Sequence, residues 1–277
     1  MAPTDSLSFG LTRSQRPSRL VVLDKSFLDG VNEAQLKYSV GQGWTFVLPE
    51  ILMYEHFRKR DERRIANIFK LHSVESNIFI LPGIGEMFRA EARLKEPATK
   101  NLRAKAVEFT PRIGPTGRFF ELDAESNKST EQRTADLKKE TETLLKVWND
   151  MRQIPDIRDA KPTVLPQVIA ELSAKIRDDR EDLRGFYRNH MHANFPAPEL
   201  IDEEWSYYRW IQVHLLAGLD FINRYGKTVR PGEETLMHEV LDLTYLINAL
   251  LIGGLASRDS RILERFKFLR SDGVVLR

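Results

Sequence analysis

Four carboxylates stand out for the company they keep. Asp24 ends the apolar run Leu20-Val21-Val22-Leu23, and Asp259 follows the short run Leu255-Ala256-Ser257. Glu55 is embedded among Ile51, Leu52, Met53, Tyr54 and Phe57. Asp242 sits in a segment apolar on nearly every side, with Met237, Val240, Leu241, Leu243, Leu246, Ile247 and Leu250. A carboxylate in apolar surroundings carries a large desolvation cost unless it is paired, protonated or bound to a cation. No equally buried basic partner is evident for these four, so their chemistry points to a divalent cation with oxygen ligands. Mg²⁺ or Mn²⁺ suits such carboxylate-and-water sites best. The chain has no cysteine, which removes thiolate zinc sites, disulfides and cysteine nucleophiles.

The elements that must present these acids follow from the patterning. Leu20–Leu23 reads as a buried parallel strand with Asp24 at its carboxyl edge, where open α/β sheets place their ligands. A helix is expected from about Ser26 to Tyr38, closed by Gly41 and Gly43. Trp44–Leu48 reads as a second strand, with Pro49 in the first turn of the helix that carries Glu55. Asn77–Leu81 reads as a third strand. From Glu86 to Tyr225 the alternation stops. Glu131–Met151, Val164–His190 and Ile201–Tyr225 read as long helices, and the stretch between Thr110 and Ser129 as irregular. An apolar helix over Leu236–Ile252 is expected to end at Gly253-Gly254 in a left-handed cap. Short strands at Leu255–Ser257 and Val274–Leu276 complete the pattern.

The implied fold class is α/β, a parallel sheet flanked by helices and interrupted by a large α-helical insertion. The expected division is a flexible tail (1–18), a split core (19–85 and 226–277) and the insertion (86–225). With 277 residues, 42 Lys plus Arg and 40 Asp plus Glu, the net charge is only +2. That balance argues against a surface uniformly attractive to nucleic acid. No run of about 18 apolar residues is evident, so no membrane span is expected. The first 18 residues lack the apolar stretch of a secretory signal, which leads us to expect a cytoplasmic protein.

Taken in order, the acidic motifs resemble those of PIN-domain nucleases. Val21-Val22-Leu23-Asp24-Lys25-Ser26 is similar to that family's apolar strand ending in Asp-x-Ser/Asn. The segment from Phe46 through Glu55 resembles its strand-then-helix bearing the second acid. Asp242-Leu243-Thr244-Tyr245-Leu246-Ile247 resembles its acid-opened apolar helix, and Ser257-Arg258-Asp259 its Ser/Thr-x-Asp after a short strand. The likeness covers residues 19–85 and 232–277, less than half of the chain. Between Glu55 and Asp242 the gap is far longer than in a minimal PIN domain, and Glu239, one turn before Asp242, is an alternative third acid.

The resemblance implies metal-dependent phosphodiester hydrolysis, with Asp24, Glu55, Asp242 and Asp259 holding one or two Mg²⁺ or Mn²⁺ ions. Ser26 and Ser257 would be supporting hydroxyls. Arg58, Arg258 and Arg261 lead the basic clusters that would grip phosphates, together with Lys59, Arg60, Arg63 and Arg64, Arg265, Lys267 and Arg270, and the run from Arg89 to Lys105. RNA is favoured over single-stranded DNA, and a toxin, stress or defence effector with an antitoxin or regulatory partner, or a homo-oligomer, is the expected setting.

Two rival readings remain open. One is a non-catalytic PIN-like scaffold that binds nucleic acid or a protein through the insertion. The other is a helical phosphohydrolase using Asp178, Asp179, Glu181 and Asp182, which crowd together as a solvated run would. His190-Met191-His192 reads as a surface pair, and Gly41-Gln42-Gly43 and Gly83-Ile84-Gly85 as turns that lack a P-loop lysine. Of Trp205, Tyr207, Tyr208 and Trp210, Tyr207 is the expected exposed stacking candidate.

Overall fold

The computed structural model describes residues 19–58, 62–101, 107–108, 124–190, 195–226 and 232–277. The strands are β1 (Arg19–Leu23), β2 (Trp44–Pro49), β3 (Ile78–Leu81), β4 (Val107–Glu108), β5 (Gly254–Ala256) and β6 (Val274–Leu276). They form one sheet in the order β4-β3-β2-β1-β5-β6, parallel throughout except for the two-residue β4, which is antiparallel on the edge of β3. The central strands are buried on both faces: Val21, Val22 and Leu23 of β1 are fully buried, and all six residues of β2, Thr45 included, are buried. Helices cover such a sheet on both sides.

From β1 the chain crosses to β2 and β3 on one side, and much later returns to β5 and β6 on the other. β1 and β5 are therefore hydrogen-bonded neighbours with opposite onward directions, the switch point at which an open α/β sheet forms a crevice. Gly254 lets β5 close on β1, because a Cβ there would lie 2.2 Å from the Leu20 carbonyl oxygen. Gly253 takes φ +87° and donates its N–H to the Ala249 carbonyl, ending the preceding helix as expected.

The first half of the sheet is connected by α1 (Lys25–Gly30), α2 (Glu33–Gly41), α3 (Glu50–Arg58) and α4 (Glu62–His72). The single helix expected over Ser26–Tyr38 is thus two. Asn32 breaks it by a reciprocal capping box with Gln35, each side chain bonding the other's backbone N–H. Pro49 closes β2 rather than opening α3, and costs no ladder bond at a strand end.

The middle of the chain holds α5 (Ile84–Leu94), α6 (Ala124–Met151), α7 (Pro155–Asp159), α8 (Leu165–Asp178), α9 (Arg180–His190) and α10 (Ser206–Tyr225). α6 starts well before Glu131, so Ala124–Ser129 is helical; residues 110–123 of the stretch expected to be irregular lie outside the described residues. The helix expected over Val164–His190 is broken at Asp179, which leaves the helical region at φ −98°, ψ 93° and caps the next turn through Oδ1 to the N–H groups of Glu181 and Asp182. α10 begins at Ser206, five residues later than expected, because Pro198–Leu200 forms a separate short turn.

After α10 come α11 (Glu233–Ile252), β5, α12 (Ser260–Leu269) and β6. By length and composition α11 is apolar enough to cross a membrane, but most of it is buried inside the protein, as a core helix is. It packs against β1, β2 and β5 and also against α6 and α10. Leu137, Leu144 and Trp148 of α6 and Val213, Ala217, Phe221 of α10 join one continuous apolar cluster with the sheet. A smaller cluster of Leu183, Tyr187, Ile201, Trp205, Tyr208 and Ile211 lies beyond it.

The clamp between α5 and α10 is a buried acid. Glu91 is 1% exposed and accepts the N–H groups of Ser206 (2.6 Å), Tyr207 (3.3 Å) and Ala98 (2.9 Å). It caps α10 from another helix, where the N-terminal dipole favours an anion. Truncation strands three buried donors. Glu91→Ala is expected to cost about 2–4 kcal/mol in urea unfolding, with Glu91→Gln well below that; an effect under about 0.5 kcal/mol for Glu91→Ala would show that water replaces the clamp.

Candidate acidic site at the carboxyl edge of the sheet

Asp24 follows β1 directly and is 3% exposed. It stands where the cap of α1 would be, yet its side chain does not cap the helix. Its Oδ2 accepts instead from Ser26 Oγ at 2.5 Å and from Ser257 Oγ, beyond β5, at 2.6 Å. A hydroxyl has one proton, so with both committed to Asp24 the 3.1 Å approach of the two serine oxygens is contact without a shared proton. Their lone pairs are filled from the backbone: Arg258 N and Asp259 N donate to Ser26 Oγ, and Asp259 N also to Ser257 Oγ. Two motifs 230 residues apart are thereby one hydrogen-bonded unit.

Asp259 caps α12, its Oδ1 accepting from Arg261 N (2.8 Å) and Ile262 N (3.2 Å). Glu55, on α3, accepts from the buried phenol of Tyr245 at 2.5 Å. Asp242, on α11, receives Arg261 Nη2 at 2.5 Å. Glu239, one turn earlier, is 1% exposed and surrounded by three arginines: Arg224 at 3.2 Å, Arg261 at 3.1 Å, and Arg265. Arg224 and Arg265 also hold Asp220. Of the two alternatives for the third acid, Glu239 is thus locked in a cationic cage, and Asp242 lies on the side facing Asp259.

Electrostatics ties these groups together. Burial raises the Asp24 carboxyl above its ordinary value, opposed by the two serine bonds and reinforced by the charge of Asp259. Burial also raises Glu55, against the Tyr245 bond and the Lys25 cation, with Asp24 repelling it. Asp242 is pushed up to about 7, first by burial, against Arg261, with Glu239 and Asp259 adding repulsion. The Tyr245 phenol is raised by burial and by Glu55, Asp24 and Asp242. Asp24 and Asp259, at the ends that precede α1 and α12, and Glu55 and Asp242, on α3 and α11, are therefore coupled through one field.

In kind, this donor set fits a hard divalent cation: Asp24 is a buried carboxylate with neutral hydroxyl partners and, among the described residues, no salt bridge. In distance it is not closed. No three His, Asp or Glu side chains among the described residues stand close enough together to hold one ion. The reason is visible in the bonds above, since each acid is turned to its own donor: serine hydroxyls, Tyr245, Arg261, or the α12 backbone.

Two participants were not singled out by sequence. Tyr245 lies one turn after Asp242 inside the quoted motif, and its hydroxyl on a fully apolar helix was the available signal. Lys25 directly follows Asp24 and pairs with Asp29 at 3.2 Å, an acid also held by Asn67 at 2.6 Å. Of the expected phosphate contacts, Arg258 is exposed and its guanidinium lies over Gly30, where a Cβ would approach within 2.4 Å. Arg261 is engaged with the acids. Arg58 is in α3 but its side chain is not among those described, and Lys59, Arg60, Arg103 and Lys105 lie outside the described residues.

The remaining candidates resolve simply. Asp178, Glu181 and Asp182 are exposed, the first two paired with Arg177 and Arg184. Met191 and His192 lie outside the described residues. Gly41-Gln42-Gly43 turns at the end of α2 as expected, whereas Gly83-Ile84-Gly85 opens a helix and is not a turn: Gly83 caps α5, and Ile84 and Gly85 lie in its first turn. Tyr207 is not an exposed base-stacking platform: it packs against Phe88, Tyr187, Phe195 and Trp210.

Comparison with family models, curated proteins and solved structures finds no match to this chain. The site's chemistry stands on its own geometry.

Because Asp242 binds its proton more tightly folded than unfolded, its contribution to stability is complete below the ordinary value of 3.8 and is lost as pH rises through about 7. Asp242→Asn is therefore expected to raise the Tm at pH 8, leave it nearly unchanged at pH 5, and flatten the profile between. A Tm lowered equally at both pH values would mean that the charged carboxylate is a net stabiliser through Arg261.

Proposed function

We propose that this chain is a metal-dependent endonuclease of the PIN-like type that hydrolyses phosphodiester bonds in nucleic acid. The observation that supports this reading is Asp24, buried at the β1/β5 switch point and bonded by the hydroxyls of both Ser26 and Ser257, with the charges of Asp259 and Glu55 repelling it and Asp242 repelled in turn by Asp259. An enzyme gains nothing in stability from four mutually repelling carboxylates, and such an arrangement is what a site built to neutralise a cation requires.

Asp24 and Asp259, joined through the serine hydroxyls, would supply the central carboxylates, with Asp242 and Glu55 on either flank. A bound Mg²⁺ or Mn²⁺ supplies a water of lowered pKa and offsets charge on the reacting phosphate. The chain's own contribution is positional. Ser26 and Ser257 fix the Asp24 carboxylate, Tyr245 holds Glu55, and the α12 backbone holds Asp259. Arg258, which is exposed, would meet a substrate phosphate, with Arg261 and Arg58 as the other expected phosphate contacts. RNA as the favoured substrate and a toxin or defence role with an antitoxin as partner are what the resemblance to PIN-domain nucleases implies.

One observation favours a second reading. Each acid is satisfied by its own donor, as it would be in a non-catalytic scaffold that binds nucleic acid or a protein.

Incubation of the full chain with labelled RNA and single-stranded DNA separates the two. Cleavage is expected with Mn²⁺ or Mg²⁺ and none with EDTA, and Asp24→Asn or Asp259→Asn should lower the rate at least about 100-fold. Asparagine at position 24 still accepts both hydroxyl bonds, so the circular dichroism spectrum should be unchanged. Binding without metal-dependent cleavage, or full activity in either variant, would favour the scaffold.

A further inference from the structure

His214, on α10, is 3% exposed. Its Nδ1 stands 2.8 Å from the Trp210 carbonyl oxygen, which can only accept, so the ring proton sits on Nδ1. Burial pushes the imidazole down to about 4, which keeps it neutral and leaves a lone pair on Nε2. That nitrogen is buried and has no hydrogen-bond partner. An unpaired buried acceptor is costly, and in a native protein it points to a donor brought from outside, a ligand or a water. His214 also lines an open cavity of about 500 Å³ between α3, α5, α6, α10 and α11. Phe88 and Trp210, which meet edge to face, give this cavity an apolar wall, and Val240 and Ile247 of α11 extend it. The rest of the lining is acidic, with Glu50, Glu86, Asp136 and Glu140. Burial raises the Glu50 carboxyl; Arg133 opposes this, and the other three acids add to it. Arg133 is already paired with Glu140 at 2.8 Å. The remaining cations of the lining, Arg89 and Lys139, are exposed side chains.

We propose that this cavity binds an aliphatic di- or polyamine, with one ammonium group donating to His214 Nε2 and another paired with Glu50. Each feature of the lining removes an alternative. An anion is repelled by the four acids and finds no donor on His214 Nε2. A metal ion is not accommodated, because no three His, Asp or Glu side chains among the described residues stand close enough together to hold one. A quaternary ammonium brings the charge but no N–H for the imidazole. A single water would satisfy His214 yet leave the repulsion around Glu50 in place. A methylene chain with an ammonium at each end meets all three demands. Its carbons lie on the aromatic and aliphatic wall, as the stem of a lysine does on apolar surface. One N–H group reaches the unpaired lone pair, and the second charge relieves the crowded acids through charge-assisted bonds. This site uses none of Asp24, Glu55, Asp242 or Asp259 and does not rest on the metal-dependent reading above.

The test is calorimetric titration of the full chain with spermidine at fixed ionic strength, beside its thermal unfolding with and without the amine. Wild type should bind spermidine saturably at one site and melt at a higher temperature in its presence. His214→Leu removes the acceptor while leaving an apolar side chain of similar bulk, and should weaken binding roughly tenfold or more. Glu50→Gln should weaken it by about the same factor, and tetramethylammonium, charged but without an N–H group, should bind wild type at least about tenfold more weakly than spermidine does. Asp178→Asn, which removes an exposed acid on another helix, controls for diffuse attraction of the amine to negative charge and should change nothing. Circular dichroism checks that each variant is folded; if His214→Leu is not, Glu50→Gln and the tetramethylammonium comparison still decide. Absence of saturable spermidine binding would leave water as the partner of His214 and overturn the site. So would an affinity equal in wild type and Glu50→Gln, equal in wild type and folded His214→Leu, or equal for the two amines.

Discussion

The arrangement depends on one buried carboxylate oxygen that receives two hydroxyl protons. Asp24 Oδ2 takes Ser26 Oγ from its own turn and Ser257 Oγ from the far end of the chain. The second bond cannot form unless β5 lies beside β1, and Gly254 lets the two backbones close there. Charge-assisted bonds of this kind are about twice as strong as neutral ones. Even so, they do not fully repay the removal of Asp24 from water, since its carboxyl stays above its ordinary value. The edge of the sheet therefore holds an excess of negative charge that the fold tolerates rather than exploits, and the rest of the protein has to keep that edge rigid.

How the remaining acids are neutralised divides the site into two halves. Asp24 and Glu55 are held by neutral donors, serine and tyrosine, which orient a carboxylate without cancelling its charge. Glu239 and Asp220, by contrast, belong to an arginine network that cancels charge outright. Asp242 is the boundary between the two, sharing Arg261 with Glu239 while feeling the repulsion of Asp259. The overall charge of +2 hides this separation entirely. A balanced total here is the sum of a local deficit and a local surplus set side by side on the first turns of α12.

Much of this was legible in the residues, and the failures have specific causes. The strands announced themselves because strands buried on both faces are apolar along most of their length, as Leu20–Leu23 of β1 and Phe46–Leu48 of β2 are. The four acids announced themselves because charge in apolar company is costly. What could not be read was pairing across distance. Nothing in the spacing of Asp242 and Arg261 says that one bonds the other, and the expectation of acids lacking cationic partners gave way at that position. The two expected helices are four because short-range polar caps at Asn32 and Asp179 break them; the capping box stands in the sequence as Asn32-Glu33-Ala34-Gln35. Tyr207 was judged exposed from its place on one helix, whereas its cover comes from α5 and α9 and from Phe195.

The same limit explains α11, and with it the reason that the long middle segment matters to the site. A helix apolar all round has to be covered on every side. The sheet covers only one: β1, β2 and β5 pack against α11 there. The opposite side would meet water if α6 and α10 were absent, and a 20-residue apolar helix left half-exposed would pull away from the sheet or recruit another surface. α6 and α10 instead complete a single core around it, in which Tyr245 is fully buried and Glu239 is reached by Arg224 from α10 and Arg265 from α12. Asp242 and Tyr245 owe their positions to this double cover. The helices between Glu86 and Tyr225 are therefore not an appendage beside the acidic edge; they are the outer wall that holds its third acid in place.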